Sequence, residues 1–227
     1  MEIYDDESND SYEEEQYRVD NRPSYIAINH HFIEGINKWL NKKKINKDHV
    51  VEVCAGSGLL GMTYLALDDK NVTDSHCWEK GGYDIALDEE WKIFASGVTE
   101  ESAVGTIRSK DKIDVLIMAM PPKDDTAFHA ALVLKKKHPK AKIIYIGTET
   151  PSFDGTSEFF YHLEDLEDPD FSDLVAKRYP DEISEFQQRT DEVRPIADSI
   201  SPYLKVFEYC TDSECACNVP HHHGIKL

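Results

Sequence analysis

One short stretch, VVEVCAGSGLLG at residues 50–61, constrains the fold of this chain more than any other. Its first residues are apolar and mostly β-branched, which predicts a buried strand. Gly56 and Gly58 predict a tight turn directly after it, because glycine tolerates backbone conformations that other residues avoid. The next apolar residues, LLGMTYLAL, have helical spacing. A strand, a glycine turn and a helix in this order predict a sheet covered by helices.

Other segments have the apolar patterns of further strands and helices. Residues 26–40 have the spacing of an amphipathic helix, and the basic NKKKINK that follows suits a helix end. Residues 124–139 predict a second helix, capped by Asp124 or Asp125 and ended by Pro139. This alternation predicts a doubly wound, mainly parallel α/β sheet in a single domain. The further predicted strands are at residues 113–120, 141–147 and 204–209, with a weaker one at 72–79.

The charge of the chain limits its partners. Its 227 residues include 25 basic and 44 acidic side chains, for a formal net charge of −19. A field of this sign repels polyanions, so duplex nucleic acid is not expected as a partner. The chain contains neither an apolar run long enough to span a bilayer nor a signal-peptide pattern, which predicts a soluble, cytoplasmic protein without a membrane partner. The Cys content, five and therefore odd, does not fit a secreted disulfide framework.

The two ends of the chain differ in composition from its centre. Residues 1–22 are acidic with few aliphatic side chains, which predicts a flexible tail that acts as a solubilising leader or as a docking segment. Residues 23–209 form the predicted domain. Residues 210–227 form a second tail that contains cysteines and histidines. Their spacing, C-x4-C-x-C-x3-H, is not that of a paired zinc knuckle, so we predict no metal site there and keep a zinc site as the alternative.

Glu52 discriminates between two kinds of ligand for the glycine turn. Ligands of doubly wound sheets bind beyond the carboxyl ends of the strands, where Glu52 and the turn are predicted to lie. Gly56, Gly58 and Gly61 match the G-x-G-x-x-G spacing of dinucleotide sites. A carboxylate shortly before the first of these glycines is unfavourable for a pyrophosphate and favourable for a cation. S-adenosylmethionine carries an ammonium and a sulfonium centre and no phosphate, so it fits this pattern better.

Three segments together resemble one enzyme family. VEVCAGSG resembles the first motif of class I S-adenosylmethionine-dependent methyltransferases, with Cys54 where the family commonly has its first glycine. IDVLIMAMPPKDD resembles the fourth motif of that family, and KIIYIGTETPSFDGTSEFFYHLEDL is similar to the fifth strand and following helix of a poorly characterised methyltransferase-like group. The resemblance covers residues 23–166 and, more faintly, the strand up to Tyr209. It implies a Rossmann-like methyltransferase fold with a mainly parallel, seven-stranded sheet, and S-adenosyl-L-methionine as cofactor.

The resemblance also implies roles for individual residues. The turn after the first strand would bind the methionine end of the cofactor. Glu79, or Asp74 if the second strand is shorter, would hold the ribose, and a residue after the third strand would contact the adenine. The loop after the fourth strand would face both cofactor and acceptor. The implied cofactor-binding residues are Glu52, Cys54, Ala55, Gly56, Ser57, Gly58, Glu79, Val98, Met118, Met120 and Pro121.

The candidate catalytic residues lie on the acceptor side. Methyl transfer is an in-line displacement, in which the protein orients the nucleophile and excludes water. Related enzymes that methylate nucleic-acid amino groups often carry Asn or Asp before a Pro-Pro pair; here Met120 precedes it, which favours a protein or small-molecule acceptor. Asp124 is a candidate general base, with helix capping as the alternative, and Glu149 at the predicted end of the fifth strand is a candidate acceptor-side residue.

Two other functions are compatible with the same pattern. Cys54 and Met120 replace a glycine and a polar residue of the family, as in a degenerate methyltransferase fold that acts as a binding or regulatory module. The G-x-G-x-x-G spacing is also compatible with a nucleotide-binding oxidoreductase.

Overall fold

The structure is a computed structural model that describes residues 16–76, 89–147, 156–180 and 203–209. Within these residues the strands form one sheet with the order β3-β2-β1-β4-β5-β7-β6. Strands β1 to β5 pair in parallel, while β7 is antiparallel to both β5 and β6. The strands are β1 (Val50–Val53), β2 (Val72–Asp74), β3 (Thr99–Glu100), β4 (Val115–Ala119), β5 (Lys142–Gly147), β6 (Leu163–Asp165) and β7 (Tyr203–Tyr209).

Helices cover both faces of this sheet. Two separate buried clusters line its faces, and successive residues of one strand alternate between them, as Ile117 and Met118 of β4 do. The prediction of an α/β fold with a parallel sheet flanked by helices is therefore confirmed. The helices are α1 (His30–Lys42), α2 (Glu89–Ala95), α3 (Ala103–Ser109), α4 (Thr126–Lys137), α5 (Ser157–Tyr161) and α6 (Pro169–Leu174).

Helix α1 begins and packs as its sequence predicts. The Asn29 side chain accepts a hydrogen bond from the Phe32 backbone N–H at 2.8 Å, which caps the helix. Its apolar stripe is buried against the sheet and α6. Trp39, fully buried, donates from Nε1 to Asp168 Oδ2 at 3.2 Å and meets the ring of Phe171 edge to face, with centroids 5.3 Å apart.

Some elements differ from their predicted form. The apolar segment after the glycine turn contains only a π-helical turn, Leu59–Tyr64, in which the Leu65 N–H donates to the Leu60 carbonyl. The predicted strand at residues 72–79 ends at Asp74. At the start of α4, Asp125 occupies the cap position without a side-chain hydrogen bond, and Asp124 Oδ1 accepts from the Thr126 N–H at 2.8 Å.

Residues 16–29 form an N-terminal segment that crosses the carboxyl edge of the sheet before α1. The Asp20 N–H donates to the Ile28 carbonyl at 2.7 Å, and the Asn29 side chain donates to the Tyr17 carbonyl at 3.0 Å. Ser57 Oγ, in the glycine turn, donates to the Pro23 carbonyl at 2.5 Å. Composition assigned residues 16–22 to the acidic tail, but they are tied to the domain by these contacts. Residues 1–15 and 210–227 lie outside the described part of the chain.

The described helices include none that is both long enough and apolar enough to cross a membrane.

Gly35 allows α1 to lie directly on the backbone of α6. A Cβ atom at this position would lie 1.9 Å from the Leu174 carbonyl oxygen. Gly35→Ala is therefore expected to destabilise the protein by about 2 kcal/mol, because the overlap outweighs the better helix propensity of alanine. Urea denaturation measures this effect. Lys38→Ala, on the exposed side of the same helix, is the control and should change stability by less than about 0.5 kcal/mol; equal stabilities of Gly35→Ala and wild type would contradict the packing described here.

Candidate functional site

A small pocket opens at the carboxyl ends of β1 and β4. The chain order of the sheet reverses between these two strands, which is where ligands of open α/β sheets bind. Four elements line the pocket: the end of β1 with the glycine turn, the N-terminal segment, α2 and the end of β4. Its volume of about 20 Å³ is enough for about one water molecule. Its polar and aromatic lining residues are Ser24, Tyr25, Glu52, Cys54, Ser57 and Trp91.

Glu52 supplies the carboxyl group that lines this pocket. It is only 1% exposed, and among the described residues its Oε2 atom has no hydrogen-bond partner. Burial raises the pKa of Glu52 to about 8; the Gly61 backbone N–H opposes this shift, and the charge of Asp74 adds to it. At neutral pH the carboxyl is therefore mostly protonated, and a cation placed beside it would favour the ionised form.

The Glu52 side chain lies directly against Gly61, which has no side chain to obstruct it. A Cβ atom at Gly61 would be 2.2 Å from Glu52 Oε2. The third glycine of the G-x-G-x-x-G spacing thus accommodates a carboxyl group of the protein itself. This pairing fixes Glu52 on the π-helical turn and links the two features that the sequence pattern combines.

Asp74 holds the glycine turn against β2. Its two carboxylate oxygens accept from the Gly56 N–H at 2.9 Å and from the His76 N–H at 2.8 Å. Because β2 ends at Asp74, this residue stands at the position that the resemblance assigns to the ribose ligand. Both oxygens already bind backbone amides, so Asp74 positions the turn. Glu79, the other candidate for the ribose, lies outside the described residues.

The faces of Gly56 and Gly58 are covered by side chains. A Cβ atom at Gly56 would be 2.8 Å from Cη2 of Trp91, and one at Gly58 would be 2.6 Å from Cγ2 of Val98. The glycine pattern predicts a ligand against these faces. In this structure, protein atoms occupy that space.

Cys54 stands where the resemblance implies a glycine, and its backbone has a conformation that favours glycine. Its φ angle is +56°, in the left-handed region that favours glycine. His76 and Met120, which follow β2 and β4, have φ angles of 50° and 49°. The chain therefore leaves three adjacent strands through strained non-glycine residues, all at the edge that carries the pocket.

The other predicted site residues are dispersed. Met118 points into the buried cluster on the opposite face of the sheet from Glu52 and does not line the pocket. Val98 lies directly before β3, not after it. Met120 and Pro121 follow Ala119, the β4 residue that does line the pocket. Asp124, exposed, binds the Thr126 N–H at the start of α4, and Glu149 lies outside the described residues.

Two aromatic residues of the pocket were missed by the sequence analysis. Tyr25 and Trp91 pack with ring centroids 4.6 Å apart and an interplanar angle of 53°. Trp91 belongs to the short helix α2, which has too few residues to produce a clear periodic signal. Only the tertiary fold brings these rings together.

The described residues contain no group of three or more His, Cys, Asp or Glu side chains placed to hold a metal ion. The C-terminal cysteines and histidines lie outside this part of the chain. Comparisons with models of protein families, with curated proteins and with solved structures gave no match.

Glu52→Gln is expected to change how stability depends on pH. The folded pKa of Glu52 is about 8, above the value of 4.5 for an unperturbed glutamate, so its contribution is full below pH 4.5 and is lost as pH rises through 8. The variant lacks this loss, so its stability relative to wild type should increase by roughly 3 to 5 kcal/mol between pH 4.5 and pH 8. Urea titrations at several pH values measure this difference. Glu34→Gln, at an exposed carboxylate, is the control, and parallel pH profiles of wild type and Glu52→Gln would contradict the burial of the charge.

Cys54→Gly and Cys54→Ala together test the strained turn. At an ordinary strand position a protein with glycine is less stable than one with alanine by about 0.5–1 kcal/mol. At a φ angle of +56° the order should reverse, with Cys54→Gly more stable than Cys54→Ala by about 1 kcal/mol. Thermal and urea unfolding of both variants give the comparison. A more stable alanine variant would show that the turn does not need the left-handed conformation.

Proposed function

We propose that this domain binds S-adenosyl-L-methionine and transfers its methyl group to a protein or small-molecule acceptor. The observation that supports this most strongly is Glu52, a buried carboxyl with an unpartnered oxygen, in a pocket at the reversal point of a parallel sheet. Such a group is unfavourable unless something compensates it. A cationic ligand would supply that compensation.

The charge of the pocket favours a cation over a dinucleotide. Glu52 lines the pocket and Asp74 lies behind the turn, so a pyrophosphate would meet two acidic groups. The strand order also departs from the 3-2-1-4-5-6 order of dinucleotide-binding sheets, since antiparallel β7 lies between β5 and β6. These features support the Rossmann-like methyltransferase fold, with its mainly parallel seven-stranded sheet, over a nucleotide-binding oxidoreductase.

The residues present match this cofactor in charge and backbone, and the pocket of about 20 Å³ admits it only when a covering side chain moves. Glu52 would hold a cationic centre, and the backbone of the turn at residues 54–58, which Asp74 fixes, would line the rest of the cofactor. When bound, the cofactor supplies a methyl group that is already activated. The chain's own part is then to orient the acceptor and exclude water. Because Asp124 binds a helix N–H, Glu149 is the better candidate to accept a proton from the acceptor.

A second function is supported by the small volume of the pocket. Trp91 and Val98 cover the two glycines, and the remaining volume is about 20 Å³. A degenerate methyltransferase fold that serves as a binding or regulatory module would have no need of a larger opening. The two proposals differ in whether the protein binds the cofactor at all.

Cofactor binding and its pH dependence test the first proposal. A cation at Glu52 requires the ionised carboxyl, whose pKa in the free protein is about 8. Binding should therefore release a proton below pH 8, and affinity should rise about tenfold from pH 6 to pH 7 and level off above pH 8. Isothermal titration calorimetry with S-adenosylmethionine in buffers of different ionisation enthalpy measures both effects.

Two variants make this test specific. Glu52→Gln has nearly the same shape without the charge, and should bind at least tenfold more weakly at pH 8, with an affinity that no longer follows the titration of Glu52. Glu34→Gln should behave as wild type. The titration of the ligand's own amino group is the same in every variant, so it cancels when wild type is compared with Glu52→Gln. Unchanged binding by Glu52→Gln would refute the assignment of this carboxyl. No heat and no thermal shift at millimolar cofactor would favour the binding module.

A further inference from the structure

Trp91 belongs to a small apolar cluster that is separate from the two main ones. This third cluster consists of Trp91 and Ala95 of α2, with Tyr25 of the N-terminal segment packed against them. Trp91 is only 1% exposed, whereas Ile93 on the same short helix is 72% exposed. Within the described residues Trp91 thus packs outside the two clusters that line the sheet, and its movement would leave those clusters intact.

The indole of Trp91 lies where a ligand of the glycine turn would have to lie. Its Cη2 and Cζ2 atoms would be 2.8 and 2.9 Å from a Cβ at Gly56, so the ring edge touches the bare backbone. With the indole in place, the volume beside Glu52 is about 20 Å³. A molecule that contains a purine, a ribose and an amino acid cannot enter a space of that size. For such a ligand to lie against Gly56, Trp91 has to move.

We propose that Trp91 is a specificity-determining residue of this pocket, which covers Gly56 and gives way to a ligand whose own planar ring takes its place beside Tyr25. The inference rests on the proposed function, because it takes S-adenosylmethionine as the ring-bearing cation. A ligand moves an equilibrium only by its difference in affinity for the two states. A planar ring replaces the aromatic contact that Tyr25 loses when the indole leaves. A cation without a ring satisfies Glu52 but leaves that apolar surface uncovered.

Two cationic probes separate these contributions. S-adenosylmethionine carries both charge and ring, and S-methylmethionine carries the same ammonium and sulfonium groups without a ring. Wild type should bind the first and discriminate strongly against the second. In Trp91→Ala the cover is absent, so the ratio of the two dissociation constants should fall by about tenfold or more. Trp91→Phe, which keeps an aromatic cover, is the matched control and should retain most of the discrimination. An unchanged ratio in Trp91→Ala overturns the inference.

Cys54 reports the opening of the pocket without any ligand. Because Cys54 lines the same pocket, its modification by N-ethylmaleimide, followed by mass spectrometry of its peptide, should be at least tenfold faster in Trp91→Ala than in wild type. Equal rates overturn the covering role whatever the ligand is. Faster modification without binding of either cation means that the proposed function fails and the specificity role of Trp91 fails with it, while its role as a cover of the pocket is retained.

A measurement on the native sequence guards against loss of folding in Trp91→Ala. In protein labelled with 5-fluorotryptophan, the resonance of Trp91 is identified by its absence in Trp91→Phe. Addition of S-adenosylmethionine should give this resonance the solvent isotope shift of an exposed indole, while that of Trp39, buried in another cluster, stays unchanged. A Trp91 resonance that remains that of a buried ring when the cofactor is bound overturns the inference.

Discussion

The burial of the Glu52 carboxyl beside the central strand determines much of the structure around it. Glu52 is flanked in the sheet by Val72 of β2 and Ile117 of β4, and its buried side chain lines the pocket. The carboxyl needs space, which Gly61 provides by lacking a side chain. The helix that follows the turn is reduced to a π-helical turn at this point. Such turns are frequent at functional sites.

Two acidic residues at neighbouring strand ends have opposite roles because of what each can bind. Asp74 accepts hydrogen bonds from two backbone amides with its two oxygens. It thereby connects β2 to the turn after β1, and its charge raises the pKa of Glu52. Glu52 is left with an oxygen that no described group binds. The first residue stabilises the architecture, and the second keeps a buried polar atom without a described partner, so the same edge of the sheet is both rigid and unsatisfied.

The sequence predicted those features that depend on local patterns. Periodicity located β1, β4, β5, α1 and α4, and the position of Glu52 followed from the strand before the turn. It did not locate Trp91, because the contact of Trp91 with Gly56 is a property of the tertiary fold. A glycine pattern indicates that something approaches the backbone closely, but a ligand and an indole ring satisfy it equally. Likewise the sequence leaves Asp124 with two possible roles, helix capping or general base, and the hydrogen bond from the Thr126 N–H is a contact that only the structure reveals.

The conformation of Cys54 bears on whether a cysteine, where the resemblance implies a glycine, argues against cofactor binding. The backbone after Cys54 is held to β2 by two hydrogen bonds, from the Ala55 N–H to the Thr73 carbonyl at 3.1 Å and from the Gly56 N–H to Asp74. These bonds hold the backbone that follows Cys54, and the strain of its left-handed φ angle, about 1–2 kcal/mol, is offset by the rest of the fold. The path of the turn is thus retained without its first glycine. The substitution at Cys54 is therefore weak evidence for a degenerate site, and the stronger evidence is the indole over Gly56, which movement of a small apolar cluster would reverse.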